Sequence, residues 1–190
     1  MGLRLINSAD TLASELKASS PDAAVRVYSR FSSRVRRLVQ RTIGPDASVE
    51  DLVQDVFVTL LEHAPSLRDE RRLEQFITAV TLNTVRSELR RRRWKRFLPF
   101  LRRDDVFGAP TASAAVRRVF ELLDEVSTED RLAFTLRYLE QFELAEVAES
   151  LGVSLATAKR RVARARAFID RRAAHDVILQ VALIDLGGGA

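Results

Sequence analysis

The chain has 190 residues, a formal net charge of +5, 46% hydrophobic residues and 30% charged ones, enough apolar content to bury a core and too much for a disordered tail. It holds no cysteine and only two histidines, His63 and His175, far apart, so disulfides, thiol or histidine catalysis, metal centres and cofactors are not expected. No basic leader followed by an apolar core opens the sequence, and the longest apolar stretch, 177–186, is broken by Gln180 and Asp185 and spans half of the roughly 20 residues a membrane helix needs, so a soluble cytoplasmic protein without membrane insertion is expected.

The periodicity is helical almost throughout. A first helix is expected over 21–42, with Ser20 as N-cap, Pro21 at the first position, and Val25, Tyr28, Phe31, Val35 and Leu38 as the apolar stripe. A second helix begins in SVEDLVQDVFVTLLE, where Ser48 is the expected N-cap and Asp51 takes the place of Glu in a capping box. Val53, Val56, Phe57, Leu60 and Leu61 form its inner face. Asp51, Gln54 and Asp55 then cluster on the outer face, and an acidic, amide-bearing surface suits a basic partner helix. A third helix spans about 70–94, with Phe76, Val80, Leu82 and Val85 apolar and an arginine run at its end. Pro, Gly, Asp and Ser then break the pattern, and 95–113 reads as a flexible linker. Helices resume over 114–126, 128–140, 144–151 and 155–172.

The expected organisation is all-α: an N-terminal segment 1–19, a small helical domain 20–94, the linker 95–113, a second helical domain 114–172 and a tail 173–190. The tail carries Val177, Ile178, Val181, Leu183 and Ile184, and its role stays open. Charge is unevenly spread along this frame. Residues 86–103 and 159–172 are strongly basic, whereas 49–62 is acidic. A local basic stripe is the footprint of a phosphate-binding surface.

The stretch ELAEVAESLGVSLATAKRRVARARAFI has the logic of a helix-turn-helix. Leu144, Val147, Ala148 and Leu151 line one face of a short helix, and Gly152 ends it where a positive φ costs little. Val153 plugs the corner and Ser154 caps the next helix. Leu155, Ala158, Val162, Ala165 and Ile169 face inward. Thr157, Lys159, Arg160, Arg161 and Arg164 are left outward, where long donors can reach guanine edges and phosphates.

At this point a resemblance becomes specific. VEDLVQDVFVTLLE resembles conserved region 2.2 of bacterial sigma factors of the sigma-70 superfamily. FITAVTLNTVRSELRRRRW resembles regions 2.3 and 2.4, and SLATAKRRVARARA resembles region 4.2. Their order and spacing are similar to the extracytoplasmic-function (ECF, group IV) type, which keeps only domains 2 and 4. The resemblance implies a transcription initiation factor, not an enzyme, that binds core RNA polymerase and promoter DNA. It implies core docking on the β′ clamp helices through Asp51, Leu52, Gln54, Asp55 and Phe57, with the β flap as a further contact. It assigns the −10 element to Thr81, Asn83, Thr84, Ser87, Arg90, Arg91 and Arg93, and the −35 element to Ser154, Thr157, Lys159, Arg160, Arg161 and Arg164. An anti-sigma factor is a further implied partner. Trp94 is placed either to stack on an unpaired base or to plug the end of the domain core.

The sequence departs from the family pattern at Phe76, where Trp is common, at Ser87, where an acid is frequent, and at Gln141, where Gly is usual. Leu144, Ala158 and Arg160 also differ, and Arg160 adds a donor on the reading face. Two other readings remain: a helix-turn-helix regulator that acts without polymerase, and a sigma mimic that titrates an anti-sigma partner.

Overall fold

A computed structural model describes residues 8–67, 69, 72–96, 114–174 and 176. The expectations for His175, the tail from 177 onward and most of the linker, 97–113, lie outside them. Eight α-helices are present among the described residues, and no strand. The first four are α1 (Ser8–Lys17), α2 (Pro21–Ile43), α3 (Val49–His63) and α4 (Leu73–Arg96). The second set is α5 (Ala114–Glu125), α6 (Thr128–Phe134), α7 (Leu144–Leu151) and α8 (Leu155–Ala173). A π-helical turn, Thr135–Leu139, extends α6 where one continuous helix over 128–140 is expected from periodicity.

Helix α1 falls in the N-terminal segment, for which periodicity gives no element. Its Leu12, Ala13 and Leu16 are buried and join the main core. Helix α2 turns a different face inward from the expected one. Ala23, Val27, Phe31, Val35, Leu38 and Val39 are buried, whereas Val25 and Tyr28 are exposed. The i, i+4 ladder from Ala23 through Val35 wins because α1, α3 and α4 all pack on that side. In α3 the inner face is as expected except for Leu61, which is exposed.

The caps also differ. Ser20 and Ser48 stand at the N-cap positions of α2 and α3 without a side-chain cap bond, and Ser48 has helical dihedrals. Asp51 forms no capping box there. Asp46 Oδ1 accepts instead from the Ser48 N–H at 2.8 Å, and the Ser48 hydroxyl accepts from Arg92 Nη2 at 2.7 Å. A full capping box does form on α7, between Glu143 and Glu146. Ser127 and Ser154 cap α6 and α8 through Asp130 N–H and Thr157 N–H.

The two helical halves pack against one another. Leu132, Ala133 and Leu136 of the α6 segment and Val147, Ala148 and Leu151 of α7 share one core with α1–α4. A smaller cluster of Val119, Phe120, Leu122, Leu123, Phe134, Ala165 and Ile169 holds α5 to α6 and α8. Each such leucine or phenylalanine contributes about 1.5–3 kcal/mol through burial. The result is one closed body in which α4 runs along α6 and α7.

Candidate polymerase and nucleic-acid interfaces

The acidic outer face lies on α3. Asp51, Gln54 and Asp55 are exposed, and Val58 continues their stripe one turn on with 55% of its surface exposed. Leu52 and Phe57, read from the sequence as docking residues, face the other way. Both are buried, and the Phe57 ring lies 4.8 Å from that of Tyr28. They support the face from beneath rather than forming it. Helix α3 is pinned to α2 by a two-pronged pair, Arg36 to Glu50, at 2.8 and 2.7 Å. The Glu50 carboxyl is held below its ordinary range, chiefly by that hydrogen bond. Sequence reasoning missed Val58, because one valine among acids gives no periodic signal.

The second surface is the outer face of α4. Asn83, Ser87, Arg90, Arg91 and Arg93 are exposed and Thr84 is half-buried. Thr81 is not part of it: its side chain is fully buried, and its hydroxyl donates to the Ile77 carbonyl at 2.8 Å. Thr84 and Ser87 donate in the same way to the Val80 and Asn83 carbonyls, at 3.1 and 3.0 Å. These hydroxyls keep their lone pairs as acceptors for base amino groups. Trp94 is 69% exposed, so it plugs nothing in the core. Its indole face is open, as stacking on a base requires.

The arginine run is divided by its partners. Arg92 turns inward, donating to Asp46 at 2.8 Å and to Glu88 at 2.7 Å. Arg91 makes a two-pronged pair with Glu88 at 2.6 and 2.7 Å. Burial pushes the Asp46 and Glu88 carboxyls up, and hydrogen bonds from Arg92 with Ser48, and from Arg91 with Arg92, outweigh it and hold both below their ordinary values. Arg86, absent from the sequence assignment, projects beside Arg90. Its Nη1 donates to Asn83 Oδ1 at 2.5 Å, which orients the amide.

The third surface is on α8. Ala158, Val162, Ala165 and Ile169 are buried as the helix-turn-helix pattern requires, but Leu155, expected inward, is 45% exposed at the first turn. Gly152 closes α7 at φ 64 with open space around it. Gln141 takes φ 59, also left-handed, at the position where the family resemblance expects glycine. Ser154 and Thr157 are bonded to one another, hydroxyl to hydroxyl at 3.0 Å, in the cap of α8. Lys159 and Arg160 are exposed, and no ion pair holds them among the described residues. Arg161 and Arg164 are engaged: Arg161 Nη1 with Glu129 at 3.1 Å, and Arg164 with Asp130 at 2.7 Å. The bond to Asp130 raises the Arg164 pKa further. Among the described residues no group of three metal-ligating side chains converges, and no helix is long and apolar enough to cross a membrane.

An all-helical protein with an acidic, valine-bearing face, an arginine-ended helix and a helix-turn-helix belongs to the transcription machinery that handles DNA. Comparison with known proteins makes this definite. Residues 27–95 match the model of sigma-70 region 2, and residues 117–169 match that of sigma-70 region 4. The chain belongs to the sigma-70 family and has the two-region makeup of the ECF type. Among similar proteins is the RNA polymerase sigma factor SigZ of Bacillus subtilis, 26% identical over 145 residues, covering 74% of this chain and 81% of SigZ. Another is the ECF RNA polymerase sigma factor SigM of Mycobacterium tuberculosis, 25% identical over 149 residues, covering 77% and 74% of the two chains.

The fold matches CnrH in its complex with the cytosolic domain of CnrY, at a TM-score of 0.64 and 21% identity over 90% of this chain and 99% of CnrH. It also matches the sigma factor RpoE of Bartonella quintana, solved with the anti-sigma factor NepR, at a TM-score of 0.60 and 21% identity. That match covers 80% of this chain and 96% of RpoE.

Proposed function

We propose that this sigma factor docks on core RNA polymerase through α3, opens and reads the −10 element with α4, and reads the −35 element with α8. The observation that carries the reading is the presence of all three surfaces on one chain, each on its own helix. The docking face is Asp51, Gln54, Asp55 and Val58, facing the β′ clamp helices. Its charged residues steer a basic helix, and Val58 supplies dry contact at the centre. The second half meets the β flap.

On the −10 side, Asn83, Thr84 and Ser87 meet base edges, Arg86, Arg90, Arg91 and Arg93 hold phosphates, and Trp94 stacks on a base that has left the duplex. On the −35 side, α8 enters the major groove by its N-terminal half. Lys159 and Arg160 lead, with Arg161 and Arg164 beside them and Ser154 and Thr157 at the helix start. No step in this account is catalytic; the bond-making belongs to the polymerase. An anti-sigma factor fits as a regulator that covers these faces, and the site of action is the cytoplasm.

The reading is tested by co-elution with purified core polymerase. The wild-type chain should elute with core, and Asp55→Arg should elute free while keeping its helix content. Co-elution of the Asp55→Arg chain at wild-type affinity would remove α3 as the docking surface. A regulator acting without polymerase would not co-elute at all.

A further inference from the structure

The two halves meet through a built contact. Arg131, at the middle of α6, is 2% exposed. Its Nε donates to the Thr42 carbonyl at 2.7 Å and its Nη2 to the Ile43 carbonyl at 3.0 Å. These belong to the last turn of α2, whose carbonyls have no partner within the helix and attract a cation. Asp124 pairs with the remaining face of the guanidinium, and the Phe120 ring lies 5.8 Å from it. The Thr135 hydroxyl adds a donor to the Arg41 carbonyl at 3.4 Å. Arg41 reaches back to the Leu139 carbonyl and, at 3.0 Å, to Glu140. Gly44, just beyond α2, lies so close to Phe120 that a Cβ there would sit 2.9 Å from its ring.

Beside this contact stands Glu129, in the first turn of α6. One oxygen lies 3.1 Å from Arg86 and 2.9 Å from Arg90, both on α4. The other lies 3.1 Å from Arg161 on α8. Arg93 donates to the Val126 carbonyl at 3.3 Å. A single carboxylate therefore gathers arginines from both faces assigned above to DNA, as a phosphate would, and the α4 face is turned onto α6.

We infer that the free chain holds itself closed: Arg131 latches α6 onto the end of α2, and Glu129 occupies the arginines of both DNA-reading faces in place of phosphate. The inference rests on the reading of α4 and α8 given under the proposed function. Release of the latch frees Arg86, Arg90, Arg93 and Arg161 together, so DNA binding and opening are one event. The polymerase, by separating the halves, would supply that release.

The test uses the full chain without polymerase. Because it holds no native cysteine, Ser29→Cys on α2 and Ala167→Cys on α8 give two labels at exposed positions. Electron–electron distance measurement should give one narrow population in the closed chain and a longer, broad one after Arg131→Ala. The probe is a mixed-sequence duplex of about 30 base pairs, since phosphate contacts read no sequence. Arg131→Ala removes a positive charge, so with the halves still closed it should bind DNA more weakly. The latch predicts the reverse: binding roughly tenfold tighter, with the slope of log K against log salt steeper by about 0.9 for each further phosphate neutralised. If Arg131→Ala fails to fold, Glu129→Gln, which removes no core side chain, should lengthen the distance and steepen the slope alike. Distances unchanged in the folded variants would overturn the latch. Longer distances with no tightening of DNA binding would overturn the shielding, whereas the reading of the DNA faces is judged separately by transcription with core polymerase.

Discussion

The Arg131 guanidinium donates to the Ile43 carbonyl at 3.0 Å, across 88 residues of sequence and between the two sigma regions. Its neighbour Gly44 takes φ 97 at the end of α2, a left-handed value, and faces Phe120. Gly44→Ala should lose about 2 kcal/mol or more, from strain at that φ and from the clash with the ring. Urea unfolding followed by circular dichroism reads the loss. A midpoint equal to wild type would place Phe120 elsewhere in solution.

The docking face predicts a graded response. Val58→Asp should weaken core binding by about 2 kcal/mol, close to thirtyfold, because it puts an unpaired charge at the dry centre of the contact. Leu61→Asp, on the neighbouring stripe, should cost less. Titration of labelled core polymerase ranks the two, and equal or absent effects would move the contact off α3.

Much of this was legible in the sequence, and what was not has physical causes. The helices of α3, α4, α7 and α8 follow from local periodicity and from Gly152 and Ser154. Thr81 was misplaced because polar residues on an arginine-ended helix give no sign of which turn is covered. Its hydroxyl satisfies itself on the Ile77 carbonyl, so burial costs little. The face of α2 was misread at Val25 and Tyr28 because the helix carries apolar residues on more than one side. Only packing of α1, α3 and α4 selects Val27 over Val25. Leu52 and Phe57 were drawn into the docking set by their neighbours in the motif, although the helical turn points them inward. The closed packing of the halves depends on contacts such as Arg131 to Thr42, which no local pattern announces.

The recognition helix should show a division of labour. Lys159 and Arg160 are unpaired among the described residues, whereas Arg161 and Arg164 must first leave Glu129 and Asp130. Arg160→Ala should cost about 1–3 kcal/mol in holoenzyme binding and relax preference at one base pair of the −35 element. Lys159→Ala should weaken binding about equally on all sequences and lower the salt slope by about 1. Binding selections on randomised −35 duplexes distinguish the two. Unchanged selectivity after Arg160→Ala would show that the helix sits in the groove by another face.

Acid should act through one network. The Asp46 and Glu88 carboxyls sit below their ordinary values of 3.8 and 4.5. A folded-state value that is lowered contributes stability that is complete above the ordinary value and lost as pH falls through the lowered one. The urea midpoint should therefore hold above about pH 5 and fall below it. Arg92→Met should lose about 2 kcal/mol at neutral pH, by stranding two partly buried carboxylates, and should show a shallower acid dependence. An acid dependence identical to wild type would mean the network is not intact in solution.

The most direct measurement is run-off transcription with purified core polymerase and a template library randomised upstream of a fixed start region. The account predicts transcripts that require this chain, arise from templates sharing a spaced −35 and −10 pair, and vanish with Asp55→Arg. Core polymerase that binds the chain yet yields no chain-dependent, sequence-selected transcript would contradict it.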